Sequence, residues 1–476
     1  LSDLLDGVAP ARPHRIVVVG GGFSGTVLVV HLLLRSAVPL AITMVDRSAL
    51  PHRGVAYATS RAEHLLNVRA GDMSALVDDP GHFARWLAAT GLPFSADDFA
   101  PRQAYGDYLA ALFEHARKSR VHSSVACIRG HAASLKLDGN SVEAALDDGT
   151  ILESDTVVLA MGNAPPALPR QLAELDENFV AQYAWMDSAL DGLPDSGSVL
   201  ILGSGLTAID QVLELKAREF QGRIFLLSRR GMLPVVHRTG CGSWSPAWTR
   251  DLPGDLRSTV ARLRDQIRLA RSQGVDWRPV VDSLRPVTPR LWQSLSVSDR
   301  KRFLRHLRSY WEVSRHRMPP QSTAALRELM RSGQLSIIAG TLLSAEQHDD
   351  HVMISYRQRG TQAKSSIAVH RIINCIGPGF VPRSQDPLIE QLLKDGVARL
   401  DPVGLGIETT PEGALISASG VKLEQVYTIG PVRKASLWET TAVREIRMQA
   451  IELADLILEK SRTGSLIAEA EGIEAH

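Results

Sequence analysis

Short apolar, β-branched runs alternate along this chain with longer stretches of helical spacing, and glycines repeatedly stop the runs. Residues 15–19 read as a buried parallel strand. A glycine turn, an apolar helix over 26–35 and a second strand over 41–45 follow, giving a βαβ unit. The same plan returns between about 195 and 235. From 241 to 335 strands disappear, and RSTVARLRDQIRLARSQ and SDRKRFLRHLRSYWEVSRHR carry helical periodicity. Strand patterns resume in QLSIIAG, HVMISYRQ and HRIINCIGPG. The last has the shape of the earlier DTVVLAMGN, an apolar strand stopped by glycine, and VYTIGP repeats that shape near the end. An amphipathic helix over 440–460 is expected to close the fold.

These patterns predict an α/β protein with two Rossmann-like dinucleotide-binding domains and a helical insert. The first domain is expected to be discontinuous, 14–165 and 336–476. The second is expected to cover 166–240, after a crossover at Pro165 and Pro166, and the insert 241–335. The length, 476 residues, suffices for two or three cored domains. The apolar stretch 26–34 is too short to span a membrane, contains His31 and follows a glycine turn, so it reads as a buried helix.

Two glycine fingerprints sit at the starts of the two βαβ units. In IVVVGGGFSG, Gly20, Gly22 and Gly25 have G-x-G-x-x-G spacing, with Phe23 and Ser24 between. Gly20 permits the tight turn, Gly22 lets backbone approach a pyrophosphate, and Gly25 lets the helix pack close to the strand. The helix N-terminus then offers unpaired N–H groups to phosphates. The following strand ends on Asp46, which suits the ribose hydroxyls. In VLILGSGLTAID, Gly203 and Gly205 are followed by Thr207, a phosphate donor near the helix start, and by Ala208 in place of the third glycine. The strand after it, RIFLLSRR, ends on Arg229 and Arg230. Guanidinium groups pair bidentately with a 2′-phosphate where a carboxylate would repel it, so this unit is expected to prefer NADPH. The other reading leaves both arginines as surface charges and the site open to either coenzyme. Two unlike fingerprints suggest two dinucleotides with electrons moving between them.

Bulk properties narrow the field. The formal net charge is +1, which argues against a nucleic-acid binder. That near-neutrality conceals a basic insert, with eighteen Lys and Arg against eight Asp and Glu between 241 and 335. It reads either as a cap with a solvated basic face or as a lid that attracts an anionic substrate or cofactor phosphates. Cys127, Cys241 and Cys375 are far apart, so no dithiol centre is expected, and a reducing cytoplasm is the default location. The start, LSDLLDGVAPARPHR, lacks the plan of a signal peptide and reads as a flexible leader. No His/Asp/Glu set has metal-ligand spacing, and no metal or membrane association is expected.

The motifs GGGFSG, RGVAYATSRAEHLLNVRAGDMSAL, LGSGLTAID, LSRRGMLP and YTIGPVRKASLWETTAVREIRMQA together resemble bacterial FAD/NAD(P)-binding proteins. These are two-dinucleotide flavoproteins related to FAD-dependent urate hydroxylase and, more distantly, to class B flavin monooxygenases and amino-acid N-hydroxylases. The resemblance runs over nearly the whole length. It implies FAD at the first fingerprint and NAD(P)H as reductant at the second. Asn67, in HLLNVRAGDMS, would run beside the isoalloxazine, or else cap a turn. Met161 and Gly162 would link the domains at the FAD site. Gly430 with Pro431 stands where many flavoproteins have Gly-Asp. Trp438 and Thr440 would open the last helix toward the flavin, where Glu439 is either a contact or a helix-start acid. One segment departs from the pattern. Class B monooxygenases carry F-x-G-x-x-x-H before the second fingerprint, whereas NFVAQYAWMD has Phe179, Tyr183 and Trp185 but neither the glycine nor the histidine.

Further candidates lie around the insert: His237 and Arg238 in MLPVVHRTG, and Tyr310, Trp311, Arg315, His316 and Arg317 in YWEVSRHRMPP. They either line a substrate cavity or make ordinary packing and salt bridges. Asn67, Arg315 and His316 are the candidate catalytic residues. The expected activity is FAD-dependent and NADPH-using, with O2 and a small polar nitrogen-containing substrate, amino-acid- or purine-like, hydroxylated through a flavin C4a-hydroperoxide. The alternatives are a flavin reductase or dehydrogenase that serves a quinone or partner protein, and a low-turnover redox-sensing module.

Overall fold

The structure, a computed structural model, describes residues 12–48, 50–120, 122–379 and 386–474. Residues 1–11 of the expected leader lie outside the described residues. The β-branched runs form the centres of two sheets. Across its width the first runs Ala414–Ile416, Lys422–Thr428, Thr156–Leu159, His14–Val19, Leu40–Asp46 and Ser124–Arg129. Its strands are parallel except at the Ala414–Ile416 edge. The helix Phe23–Arg35 packs on it, with every residue from Phe23 to Leu33 buried. Such a helix needs cover on both sides, which Arg102–Lys118 and the closing helix Val443–Glu474 supply. A three-stranded antiparallel sheet, Ala132–Asp138, Ser141–Leu146 and Ile151–Ser154, leads back into Thr156–Leu159.

The second sheet runs Lys364–Val369, Val352–Gln358, Leu335–Gln347, Arg223–Ser228, Ser198–Leu202, Arg371–Asn374 and Val180–Ala181. This differs from the expected boundary at 336. The strands between 335 and 374 complete the second domain, and the first resumes only after them. Leu335 pairs in parallel with Ile224, and Arg371–Asn374 lies beside Ser198–Leu202. The reason is that HRIINCIGPG serves Ser198–Leu202 as DTVVLAMGN serves His14–Val19. A glycine-stopped strand has the same pattern in both halves, so pattern alone does not say which sheet it joins.

The two halves repeat one construction in detail. Ala160 N–H donates to Val19 O at 2.8 Å, and Cys375 N–H donates to Leu202 O at 2.8 Å. Gly20 has φ +111° and Gly203 φ +113°. A Cβ on Gly20 would lie 2.3 Å from Ala160 O, and one on Gly203 would lie 2.3 Å from Cys375 O. Both first glycines are therefore fixed by conformation and by close approach.

The insert is helical: Leu256–Ser272, Trp277–Asp282, Thr288–Ser294, Val297–Arg302, a π-helical turn Phe303–Leu307, Arg308–Arg315 and Pro320–Arg331. It docks on the C-terminal part of the first domain through aromatic packing. Trp292 stacks on Trp438 at 5.0 Å, Phe303 meets Trp438 edge-on at 5.0 Å, and Trp292 Nε1 donates to Ala435 O at 2.8 Å. Among the described residues no helix is long and apolar enough to cross a membrane.

Candidate functional site

At the first fingerprint, Gly22 is the N-cap of Phe23–Arg35. No side chain caps this end and no acid lies in the first turn, so its leading N–H groups are open to a phosphate. Gly25 packs so closely that a Cβ would lie 2.0 Å from Gly20 O. The Asp46 carboxylate folds back onto the loop. Oδ2 accepts from Gly21 N–H, and Oδ1 accepts from Ser48 N–H at 2.6 Å. Each oxygen keeps a lone pair for a ribose hydroxyl.

A neighbouring loop completes this cradle, and its residues were not picked out in the sequence. His52 adopts φ +71° and Gly54 φ +59°. His52 N–H donates to Gly21 O at 2.9 Å, and its ring stacks on Phe113 at 3.8 Å. Burial lowers the His52 pKa to about 4, so it is neutral at pH 7. Gly54 faces Gly22, where a Cβ on Gly54 would lie 3.0 Å from Gly22 Cα. The Gly inside RGVAYATS was the available signal.

From the C-terminal side, Gly430 (φ +78°) abuts the same helix. A Cβ there would lie 2.2 Å from Ser24 Oγ. Thr440 Oγ1 donates to Gly430 O at 2.7 Å and accepts from Gln449 Nε2 at 2.8 Å, while Gly430 N–H donates to Gln449 Oε1 at 3.0 Å. Ser24, Gly430 and Thr440 are thus brought together, with Thr440 spent on the backbone. Met161 and Gly162 (φ +76°) follow Ala160 directly and sit at the same loop. Trp438 is placed differently from the expectation of a cofactor contact. Its ring is buried in the aromatic cluster of the insert, because that apolar surface is what covers it.

The second cradle has the same skeleton. Gly205 is the N-cap of Leu206–Ala217, without a side-chain cap and without an acid in the first turn. Thr207 is half-buried in that turn and Ala208 is fully buried. Register shows what replaces Asp46. Val19 pairs with Val45 and Leu202 with Leu227, so Ser228 holds the position of the acid. Ser204 Oγ donates to Ser228 Oγ at 2.9 Å, and Gly231 N–H donates to the same oxygen at 3.0 Å. Arg229 comes next, exposed and without a hydrogen bond or ion pair among the described residues. Arg230 lies 4.8 Å over the Tyr310 ring, with its NH1 donating to Tyr310 Oη at 3.1 Å and its NH2 to His306 O at 3.3 Å.

Between the cradles, His237 Nε2 meets Asn67 O at 2.8 Å, so what the structure shows at Asn67 is a backbone tie between the domains. Of the two readings open for Arg315, cavity lining or an ordinary salt bridge, the structure shows the salt bridge. Its Nε and NH2 donate to Glu439 Oε1 and Oε2 at 2.9 and 3.1 Å, and Trp311 Nε1 donates to the same carboxylate at 3.0 Å. Glu439 is therefore one of the anchors of the insert, beside Arg285–Glu445 and the Trp292–Trp438 packing. His316 is partly exposed, 3.8 Å from Glu312. Arg317 is spent on Asp282, at 2.9 and 3.0 Å. Among the described residues no group of three His, Cys, Asp or Glu could hold a metal ion.

Residues 17–164 match the profile of a family described as FAD-NAD(P)-binding. No curated protein matches the chain. Solved structures do. L-lysine 6-monooxygenase from Pseudomonas syringae superposes with a TM-score of 0.65 at 16% identity, over 94% of this chain and 99% of that one. The ornithine N-hydroxylase of Kutzneria sp. 744 gives 0.63 at 15%, over 94% and 100%. T. acidophilum thioredoxin reductase gives 0.52 at 12%, over 94% and 99%. The chain has the fold of the two-dinucleotide FAD/NAD(P) flavoproteins, and the family profile it matches lies on residues 17–164, around the first cradle. The residues present fit such groups: two uncapped helix N-termini for pyrophosphates, a carboxylate at one strand tip, and serine followed by arginines at the other.

Proposed function

We propose that the chain is an FAD-dependent, NADPH-using monooxygenase that hydroxylates a small polar nitrogen-containing molecule, amino-acid- or purine-like. The observation that carries the reading is the inequality of the two cradles. Asp46 at the first suits the ribose of FAD. At the second, Ser228 removes the repelling carboxylate and Arg229 stands free beside it. The fold it shares with the lysine and ornithine hydroxylases supports the same reading. FAD held at the Gly20–Gly25 and Asp46 cradle would supply the redox chemistry for oxygen transfer from O2, with NADPH held at the Gly203–Ala208 and Arg229 cradle as its reductant. The chain's own residues hold the two dinucleotides and, through the insert, cover the space between them.

The test is NADPH oxidation by purified flavin-loaded protein across amino acids and purines, with product analysis. Coupled formation of a hydroxylated product is expected with one class. If every candidate leaves NADPH converted only to peroxide, or electrons pass instead to a quinone, the monooxygenase reading fails. Coenzyme choice has a separate check. Replacing Arg229→Ala and Arg230→Ala together removes the charge-assisted bonds to a 2′-phosphate, at about 1.5–3 kcal/mol each. KM for NADPH should rise at least tenfold and KM for NADH should stay level. Equal losses with both coenzymes would show that the arginines do not read the 2′-phosphate.

A further inference from the structure

The helix that opens the second cradle also carries a buried polar face. Asp210, Gln211 and Glu214 are all buried on Leu206–Ala217, roughly one and a half to two and a half turns past Gly205. Each meets a group outside the second sheet. Asp210 Oδ2 lies 2.8 Å from Arg102 NH2, with side chains 6% and 13% exposed. Glu214 lies 3.1 Å from Arg61 Nε and 3.6 Å from His64 Nε2. Gln211 Nε2 donates to Ala184 O at 2.9 Å.

Arg102 is held at its other end by the first domain. Its backbone N–H donates to His64 O at 2.8 Å, and its Nε donates to Leu65 O at 3.1 Å. Its guanidinium lies 5.1 Å over Trp185, whose ring meets His64 edge-on at 5.6 Å. Trp185 belongs to NFVAQYAWMD, the segment that departs from the class B pattern. One arginine therefore bridges the HLLN segment of the first domain and the coenzyme helix of the second.

Burying this pair carries a desolvation cost. Desolvation pushes the Asp210 carboxyl up to about 6 although Arg102 pulls it down. A carboxyl whose folded pKa is raised above its unfolded value subtracts stability at neutral pH, where it is ionised in both states. What the bridge supplies is register. Asp210 is about 7.5 Å along the helix from Gly205 at 1.5 Å per residue, so any shift at Asp210 is passed rigidly to the cradle.

We propose that Arg102 and Asp210 are a positioning pair that docks the NADPH helix against the flavin-side segment and so sets the geometry of hydride transfer. The proposal rests on the two-dinucleotide reading of the cradles. Misplacement by about 1 Å at a reacting centre costs on the order of a hundredfold in rate.

The experiment compares wild type, Asp210→Asn, and the paired replacement Arg102→Met with Asp210→Leu. The paired replacement leaves no buried charge unpartnered, so it keeps the fold if the single variant loses it. In the paired variant, FAD content and NADPH affinity should match wild type. The limiting rate of anaerobic flavin reduction by NADPH should fall at least tenfold. Amide hydrogen exchange should rise over 64–67 and 206–217, with the two sheets unchanged. Reduction at the wild-type rate overturns the proposal. If NADPH does not reduce the wild-type flavin at all, the functional reading fails, and exchange then decides the docking role: unchanged protection in the paired variant overturns it.

Discussion

Gly203→Ala is expected to yield a folded, FAD-containing protein whose flavin NADPH no longer reduces, while Gly20→Ala is expected to purify without FAD. Each substitution meets two independent obstacles. A Cβ would lie 2.3 Å from a carbonyl oxygen of the adjacent central strand, and the backbone sits at φ +111° or +113°. The conformation alone costs about 1–3 kcal/mol for a residue with a side chain. The clash cannot be relieved by a rotamer, because the struck atoms are the main chain of Ala160 and Cys375. Relief requires the loop to lift off the strand, which carries the leading N–H groups of its helix away from the pyrophosphate. The two variants should separate because each loop presses on a different sheet. Flavin absorbance of the purified proteins, and the spectral shift on adding NADPH anaerobically, read the two losses. If Gly203→Ala lost FAD and Gly20→Ala kept it, the assignment of dinucleotides to cradles would be reversed.

Both cradles were legible in the sequence because their requirement is local. A turn at φ near +110° against a neighbouring carbonyl admits only glycine, and that restriction shows at fixed spacing. Asp46 was legible for the same reason, being tied to Gly21 across one strand pair. What stayed hidden depends on contacts between residues far apart in sequence. The strands from 335 to 374 look alike whichever sheet they join, since a parallel strand buried on both faces carries no address. Ser228 carries no charge to mark it beside two arginines, and only the pairing of Leu202 with Leu227 shows that the serine holds the acid's place. The positive charge of the insert read as a field. Much of it proves to be used in pairs: Arg285 with Glu445, Arg315 with Glu439, Arg317 with Asp282 and Arg278 with Asp276. Of the arginines in and beside the insert that were picked out as ligand candidates, Arg229 keeps its charge uncommitted among the described residues.

Breaking the Arg315–Glu439 pair is expected to release the insert from the first domain. Both side chains are about nine-tenths buried, and the pair is bidentate, with Trp311 donating to the same carboxylate. Losing one partner of such a pair costs up to about 3–5 kcal/mol, because the remaining charge stays buried, and Arg315 then keeps only the more distant Asp282, at 3.7 Å, which Arg317 already shares. The chain also stores strain beside it. Trp438 adopts φ +61°, ψ −63°, with Glu439 N–H donating to Leu437 O at 2.8 Å, a γ-turn that an L-residue adopts at a cost. Packing of Trp438 against Trp292 and Phe303 holds that turn, and the turn aims Glu439 at Arg315. In Glu439→Gln the turn and the Trp311 contact survive and the charge does not, so proteolysis should accelerate within 241–335 while the FAD domain stays protected. In Glu439→Gln combined with Arg315→Met no buried charge is left over, and most of that protection should return. A double variant as labile as the single one would mean that the turn at Trp438, rather than the ion pair, holds the insert in place.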